Sequence, residues 1–310
     1  MSAPALAAPA LASVTGLPLR TRDAGGRAVA EVTWPHDLLP LRGHYPGFPI
    51  VPGVFLVDLA ERAARELAAL GALPWTRVVS TRFLRPVRPG DVTAVEVDAA
   101  AEGEVTTARC RVLVGDEAAA VVVLRFGRSD EDALPAPAAA PAPGAAALVA
   151  GAADAAPADR DVAGVLPHRW PMLLVDDVVA VRPGAALVAR KAVSVQDWVY
   201  ADGPTTAGYP WPLVVESWCQ SAGVLVAWDR PNPDVLAGQV MLFGGIADVR
   251  FADPVRPGDV LVHHVALERD LGDVVMASGH VEAAGRVVAT VGRITMAMRP
   301  AAALRAGGAE

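Results

Sequence analysis

Apolar positions form two kinds of pattern along the chain, and the same order of patterns occurs twice. Short segments in which apolar residues alternate or run together, bounded by Gly/Asp turns, predict β-strands. Two longer apolar segments predict helices at 54–67 and 213–225, and Pro52 and Pro210 precede them, where the missing N–H of proline is harmless. The predicted strands lie at 28–34, 92–97, 107–114 and 119–126, and again at 185–195, 260–267, 274–282 and 287–296.

A repeated motif indicates that the two halves are copies of one unit. The segment Arg82–Val92 returns as Arg250–Val260, at an offset of 168 residues, with nine of eleven positions identical. Each copy contains one long apolar helix among about five antiparallel strands, which is typical of the α+β fold class. Because the helix is apolar nearly all round, we expect a curved sheet to wrap it.

The composition divides the chain into two modules and a linker. Residues 129–159 are rich in Ala and Pro and contain no aromatic residue, so they cannot bury enough apolar surface to offset the entropy of ordering. We therefore predict a first module at 16–128 and a second at 160–300. The N-terminal residues lack the basic start of a secretory signal, and no run of about 18 strongly apolar residues predicts a membrane span. A cytoplasmic location is expected.

Charge and cysteine content exclude some classes of partner. The formal net charge of -7 over 310 residues argues against nucleic acid as the main partner. The two cysteines, Cys110 and Cys219, lie in different copies and match no metal or disulfide spacing. Free thiols in a reducing compartment are the prediction.

Two motifs resemble those of a known enzyme family. The run 43–53 reads Gly-His-Tyr-Pro-Gly-Phe-Pro-Ile-Val-Pro-Gly, and the run 166–176 reads Leu-Pro-His-Arg-Trp-Pro-Met-Leu-Leu-Val-Asp. Both resemble segments of the 3-hydroxyacyl-[acyl-carrier-protein] dehydratases of fatty-acid and polyketide synthesis. The resemblance implies the hotdog fold, here as two modules packed as an intrachain pseudo-dimer in which each active site takes histidine from one module and an acid from the other.

The same resemblance implies one working site and one lapsed site. The family's helix acid lies six residues after the last proline of the histidine loop, a position held by Asp58 in the first copy and Glu216 in the second. The family histidine is His44 in the first copy, whereas Asp202 stands at the equivalent place in the second. His44 with Glu216 is therefore a complete pair, and Asp202 with Asp58 lacks a base that works near neutrality.

Further site residues are implied by the resemblance alone. The backbone N–H of Gly53 would bind the thioester oxygen, and the carbonyl of Ile50 would hold the His44 ring. Gln220 matches a family glutamine one helical turn beyond the acid. Trp211 occupies the place of Gly53 in the second copy and leaves that site less open.

The residue types fit an acid/base reaction. His44 titrates near neutrality and can take a proton, whereas apolar neighbours should raise the pKa of Glu216 so that it can give one. We expect neutral Gln220 to orient the Glu216 carboxyl without stabilising its anion. Asp58 lies four residues before Arg62, and such a pair should favour the ionised aspartate, which is a poor proton donor.

The remaining histidines are expected to be structural. His168 is predicted to hydrogen-bond backbone in its loop, and the others show no partner pattern: His36, His263, His264 and His280. A group of arginines could form a docking surface, although arginines at strand ends are more often solvated: Arg42, Arg82, Arg85 and Arg88.

The predicted function is the dehydration of 3-hydroxyacyl thioesters to trans-2-enoyl thioesters. The resemblance implies an acyl group carried on the phosphopantetheine of an acyl-carrier protein or CoA, with no metal and no redox cofactor. The alternatives are a hotdog thioesterase, a non-catalytic acyl-binding or scaffold protein, and hydration of CoA esters by the reverse reaction. One chain could act alone as a pseudo-dimer, or three chains could form a trimer.

Overall fold

The structure, a computed structural model, describes residues 13–24, 26, 28–70, 73, 75–127, 134, 160–201, 208–252 and 254–302. Nearly all of the predicted linker, 129–159, lies outside the described residues, so the module boundaries stay predictions. The two halves on either side share one order of elements, which is two strands, one long helix and four strands.

The elements of the first half are β1 (Arg20–Asp23), β2 (Ala28–Thr33), α1 (Gly53–Leu67), β3 (Trp75–Phe83), β4 (Val92–Glu102), β5 (Val105–Val114) and β6 (Glu117–Phe126). Those of the second half are β7 (Asp177–Arg182), β8 (Ala186–Ala192), α2 (Trp211–Ala227), β9 (Gln239–Phe251), β10 (Val260–Asp270), β11 (Val274–Ala283) and β12 (Arg286–Pro300).

The predicted arrangement of one helix among strands is confirmed in each half, but the described residues of each half form six strands rather than about five. The strand β1 is exposed at all four positions, so it shows none of the alternation by which a strand is recognised in a sequence. Pro52 and Pro210 directly precede α1 and α2, as predicted.

All twelve strands form one antiparallel sheet in the order β1-β2-β4-β5-β6-β3-β9-β12-β11-β10-β8-β7. The two halves join where β3 pairs with β9, with Arg77 opposite Arg250 and Arg82 opposite Gly245. These two strands occupy equivalent places in the repeat, so the junction is formed by the same strand of each copy. Arg77 also contacts Asp248 of β9 at 2.8 Å between nitrogen and oxygen.

The two helices lie against the sheet and against each other. The helix α1 packs on β2, β4, β5 and β6, and α2 packs on β8, β10 and β11. Every residue of α2 except Val226 is buried. A large side chain such as Phe55 or Trp218 contributes about 1.5–3 kcal/mol when fully buried. The helices that carry Asp58 and Glu216 therefore form the centre of the molecule, and neither is long and apolar enough to cross a membrane.

Two adjacent glycines of β9 test the junction between the halves. A Cβ added at Gly245 would lie 2.6 Å from the carbonyl oxygen of Thr81 in β3, whereas a Cβ at Gly244 would meet nothing closer than 3.7 Å. We expect Gly245→Ala to lower the free energy of unfolding by about 1–3 kcal/mol through overpacking. Chemical denaturation measures the effect, with Gly244→Ala as the matched control; equal stabilities of the two variants would contradict this register.

Candidate active site

The first functional side chain is His44, which lies in the loop after a 3-10 turn at Leu39–Arg42. It is buried, and its Nδ1 lies 3.0 Å from the carbonyl oxygen of Ile50. A carbonyl oxygen can only accept, so Nδ1 carries the hydrogen and Nε2 of the neutral ring presents a lone pair. Burial lowers the pKa of His44 to about 4, against the opposing effect of the Ile50 carbonyl. Above that pH, His44 is a neutral imidazole, which is the form that can accept a proton.

The second is Glu216 on α2, which is 2% exposed. Burial raises its pKa to about 7, and the hydrogen bond from Gln220 opposes that rise. The predicted direction of the shift is confirmed. The expectation that Gln220 does not stabilise the anion was wrong, because its Nε2 donates to Glu216 Oε1 at 2.9 Å and a donor favours the charged carboxylate.

Gln220 is itself held by the backbone. Its Nε2 also donates to the carbonyl of Met172 at 2.7 Å, and its Oε1 accepts from the N–H of Leu174 at 2.9 Å. One partner can only accept and the other can only donate, which fixes the orientation of the amide. Gln220 therefore presents a donor to Glu216 Oε1 in a defined geometry.

The structure brings His44 and Glu216 together although they belong to different halves. The ligand-type atoms of His44, His168 and Glu216 all lie within 4.8 Å of one another, and all three side chains are buried. The central juxtaposition expected from the sequence is present. Because all three can supply ligand atoms, this group is also one of two places in the described chain with donors suited to a metal ion.

His168 is not the backbone-bonded residue that we expected. Within the described part of the chain neither of its ring nitrogens has a hydrogen-bond partner. Its Nε2 lies 3.7 Å from Glu216 Oε1, and its ring centroid lies 5.4 Å from that of His44. Burial lowers its pKa well below the ordinary value, with His44 and Arg169 acting in the same direction. One feature of the sequence could have identified His168 as a site residue: it lies in the 166–176 motif, one of the two motifs that carry the family resemblance.

Gly53 lies where a side chain would not fit. The helix α1 begins at this residue, and an added Cβ would lie 2.8 Å from the ring of Phe83. At the equivalent place, Trp211 begins α2 and packs edge-on against Phe251, with ring centroids 5.6 Å apart. Phe83 therefore occupies the space that a side chain at Gly53 would need, whereas the second helix start carries the side chain of Trp211. N–H groups of a first helical turn have no intrahelical partner, so they are available to an oxyanion.

A cavity of about 360 Å³ leads to His44 and is lined by both halves. Gly53 and Phe83 line it from the first half, and Met241 and Phe243 line it from the second. Glu216 is not among its lining residues. Tyr45 lines this cavity and also a much smaller one of about 20 Å³ beside His168, Cys219 and Gln220.

Tyr45 was not recognised as a site residue. Its ring lies 4.5 Å from that of His44 and 5.0 Å from that of His168, centroid to centroid. Its hydroxyl donates to the carbonyl of Met241 at 2.6 Å, and its backbone has a φ of 59°. Burial, Glu216 and Cys219 all raise its pKa. Tyr45 thus connects the histidine loop to β9 and separates the two cavities.

The structure corrects the expectation that Arg62 keeps Asp58 ionised. Burial raises its pKa to about 7, and Glu61 adds to that rise, whereas Arg62 lowers it by a smaller amount. Arg62 donates to Ser13 Oγ, which in turn donates to Asp58 Oδ2 at 3.3 Å. Desolvation of the carboxyl therefore outweighs both the charge of Arg62 and the hydrogen bond from Ser13. Asp202 lies outside the described residues, so its pairing with Asp58 stays a prediction.

Two of the other histidines form a cluster that the sequence did not predict. His264 and His280 stack with centroids 4.4 Å apart and planes within 5°, and both approach Glu282. Because the ring planes are parallel, the lone pairs of the two imidazoles lie in parallel planes and do not point to a common atom. His263 is fully buried, and its pKa is lowered to about 3 by burial, by His264 and by Lys191. His36 packs over Gly90.

The structure also shows the environments of the two cysteines and of the arginines near the cavity. Cys110 and Cys219 are free and buried, as expected. Arg85 lines the large cavity and pairs with Glu117, and Arg88 lies over the ring of Phe48. A basic residue that was not predicted, Arg299, lines the same cavity.

Comparison with known proteins agrees with the motifs. The ApeI dehydratase family model matches residues 20–120, and the FabA-like domain matches residues 166–292. The FabZ 3-hydroxyacyl-[acyl-carrier-protein] dehydratase of Acidiphilium cryptum (strain JF-5) is 40% identical over 118 residues, which cover 37% of this chain and 70% of that protein. The chain belongs to the FabZ family. The family predicted from the two motifs is therefore confirmed.

Solved structures similar to this FabZ-family chain agree on the fold. The dehydratase domain from the CurJ module of curacin polyketide synthase matches with a TM-score of 0.65 at 14% identity, covering 94% of this chain and 99% of that domain. An acyl-CoA thioesterase II from Mycobacterium marinum matches with a TM-score of 0.53 at 13% identity, covering 92% and 95%. The hotdog fold is thus confirmed, and it is shared by two activities, so the choice between them depends on the side chains.

Proposed function

We propose that the chain dehydrates 3-hydroxyacyl thioesters to trans-2-enoyl thioesters at one composite site, in which two hotdog modules pack as an intrachain pseudo-dimer. The observation that carries the proposal is the proximity of His44 and Glu216, one from each module, with opposite pKa shifts. At pH values between about 4 and about 7, His44 is neutral and Glu216 is protonated. That is the base and acid pair that removal of water requires.

The reaction uses both groups in their favoured forms. His44 Nε2 takes the proton from the α-carbon, and the electron pair of that C–H bond becomes the new carbon–carbon double bond. The bond from the β-carbon to the hydroxyl breaks, and Glu216 supplies the proton that turns the hydroxyl into water. An imidazolium and a carboxylate remain, and transfer of one proton from His44 back to Glu216 restores the starting state.

The charge that develops on the thioester oxygen needs a donor. The start of α1 at Gly53 supplies backbone N–H groups beside the cavity, and the absence of a side chain lets the oxygen approach. The Ile50 carbonyl keeps the His44 ring in the tautomer with Nε2 free. These contacts support the roles that we assign to Gly53 and Ile50.

The cavity indicates how the substrate enters. Its wall is largely apolar, which suits an acyl chain, and Arg85 and Arg299 are among its lining residues. Guanidinium groups bind phosphate oxygens well, so we place the phosphopantetheine arm of an acyl-carrier protein on this side, with acyl-CoA as the alternative donor. The proton transfers call for no cofactor. Oligomeric state and cytoplasmic location stay predictions.

We assign Asp58 to a lapsed second site. Ser13 donates a hydrogen bond to its carboxyl, and the adjacent Val14 is buried in the hydrophobic core. The corresponding helix start is filled by Trp211. The pKa of Asp58 is raised like that of Glu216, so protonation state does not distinguish the two acids. They differ because Glu216 lies near His44 and because Trp211 fills the helix start of the second site.

A dehydration assay on a 3-hydroxyacyl thioester tests the site. We expect His44→Ala and Glu216→Gln to lower turnover by at least about 100-fold, because each removes one proton-transfer group. Asp58→Asn should retain most of the turnover, since Asp58 has no role in the composite site. Enoyl thioester formation is followed by its near-ultraviolet absorbance.

The same assay separates the alternatives. Release of free thiol without enoyl product would identify a thioesterase, and an inactive wild-type protein that binds acyl thioester would identify an acyl-binding protein. Loss of turnover in Asp58→Asn with an unchanged melting temperature would show that the acid had been assigned to the wrong module.

The pH dependence of kcat/KM follows from the two pKa shifts. Activity should rise as pH increases through about 4, where His44 loses its proton, and should fall as pH increases through about 7, where Glu216 loses its proton. Stopped or continuous assays from pH 3.5 to 9 measure both limbs. A rate that stays constant up to pH 9 would show that Glu216 does not act as the acid.

A further inference from the structure

We propose that His168 is a positioning residue: when substrate binds, its Nε2 donates to Glu216 Oε1 and so confines the acidic proton of Glu216 to Oε2. The inference rests on the proposed function, because it assigns a task to the acid of that reaction. It concerns a side chain that we had expected to be structural.

The first step is the state of Glu216 Oε1. This oxygen already accepts a hydrogen bond from Gln220 Nε2, whose orientation is fixed by Met172 and Leu174. The hydroxyl oxygen of a carboxylic acid is a poorer acceptor than its carbonyl oxygen. Oε1 is therefore the carbonyl oxygen of the protonated group, and the proton resides on Oε2.

The second step is the state of His168. Its Nε2 lies 3.7 Å from Oε1, and the chain places no other hydrogen-bond partner at either ring nitrogen within the described residues. Next to an oxygen that accepts, a favourable contact requires an N–H. His168 is therefore neutral with its hydrogen on Nε2, and a small movement on substrate binding brings the contact to hydrogen-bond length.

The third step is the fixed position of the His168 loop. The N–H of Arg169 donates to the carbonyl of Gly43 at 3.0 Å, so this loop of the second half is bonded to the residue that precedes His44. A Cβ at Gly43 would lie 2.2 Å from the Arg169 carbonyl oxygen, so only glycine allows this approach. The loop that carries His168 is thereby bonded to the loop that carries His44.

This arrangement solves a chemical problem of the site. A carboxylic acid can carry its proton on either oxygen, and only one oxygen can face the departing hydroxyl. Two donors on Oε1 stabilise the arrangement in which Oε2 carries the proton. A single donor leaves that preference weaker. Burying an imidazole with no partner is also costly, which is consistent with a partner contact that forms during the reaction.

Three substitutions separate this role from packing. In His168→Gln the amide nitrogen can reach the place of Nε2, in His168→Asn it can reach only the place of Nδ1, and His168→Leu supplies no donor. We expect the Asn and Leu variants to lose about 10- to 100-fold in kcat with little change in KM, because the acid is misoriented. The Gln variant should stay near the wild-type rate.

A second readout does not depend on turnover. The pKa of Glu216 is followed by carbon-13 NMR of its carboxyl with the enoyl thioester product bound, and Glu216→Gln is used to identify the signal. Removal of a donor raises the pKa of a carboxyl group, so the titration should move to higher pH in His168→Leu and His168→Asn but not in His168→Gln. The alkaline limb of the kcat profile should move in the same direction.

The outcomes are distinct. An unchanged Glu216 titration and unchanged kcat in a folded His168→Leu variant would overturn the inference. If the Leu variant does not fold, equal rates and equal titrations in the Gln and Asn variants would overturn it. If the wild-type protein shows no dehydratase activity but the Glu216 titration moves as predicted, the proposed function fails and the contact between His168 and Glu216 stands.

Discussion

The burial of one carboxyl group, that of Glu216, is the constraint on which the site depends. An ionised carboxylate inside an apolar helix is costly, so the group stays protonated at pH values where an exposed glutamate has lost its proton. Its position is set by Gln220, which is set in turn by the backbone at Met172 and Leu174. Burial therefore keeps the acid neutral, whereas Gln220, whose hydrogen bond opposes the rise in pKa, keeps the carboxyl oriented.

Because the fold is duplicated, one module can supply the histidine loop of a site and the other module its helix acid. Equivalent strands β3 and β9 pair at the middle of the sheet, and the two helices contact each other. One interface thus has two places where a loop of one module can face a helix acid of the other. The first place holds His44, Gly53 and an open cavity, whereas Trp211 fills the corresponding helix start in the second. Under the proposed function, the first place is the working site and the second has lapsed, while the β3–β9 junction is common to both.

Much of this arrangement was predictable from the sequence, because it depends on local pattern. The helices, most strands, the repeat and the pair of His44 and Glu216 follow from apolar periodicity and from two motifs. The exceptions depend on distant contacts. The raised pKa of Asp58 required knowing that Arg62 bonds to Ser13 and that burial dominates. The environment of His168 required the contact between the Arg169 loop and Gly43, and the stacking of His264 on His280 required the strand register.

The most direct measurement is a double-mutant cycle on kcat/KM with wild type, His44→Ala, Glu216→Gln and the double variant. Groups that act on one substrate molecule in one step are strongly non-additive. We expect the double variant to be hardly slower than the slower of the two single variants. Losses that multiply, so that the double variant is slower by the product of the two single effects, would show that the imidazole and the carboxyl act independently and would contradict a shared site between the modules.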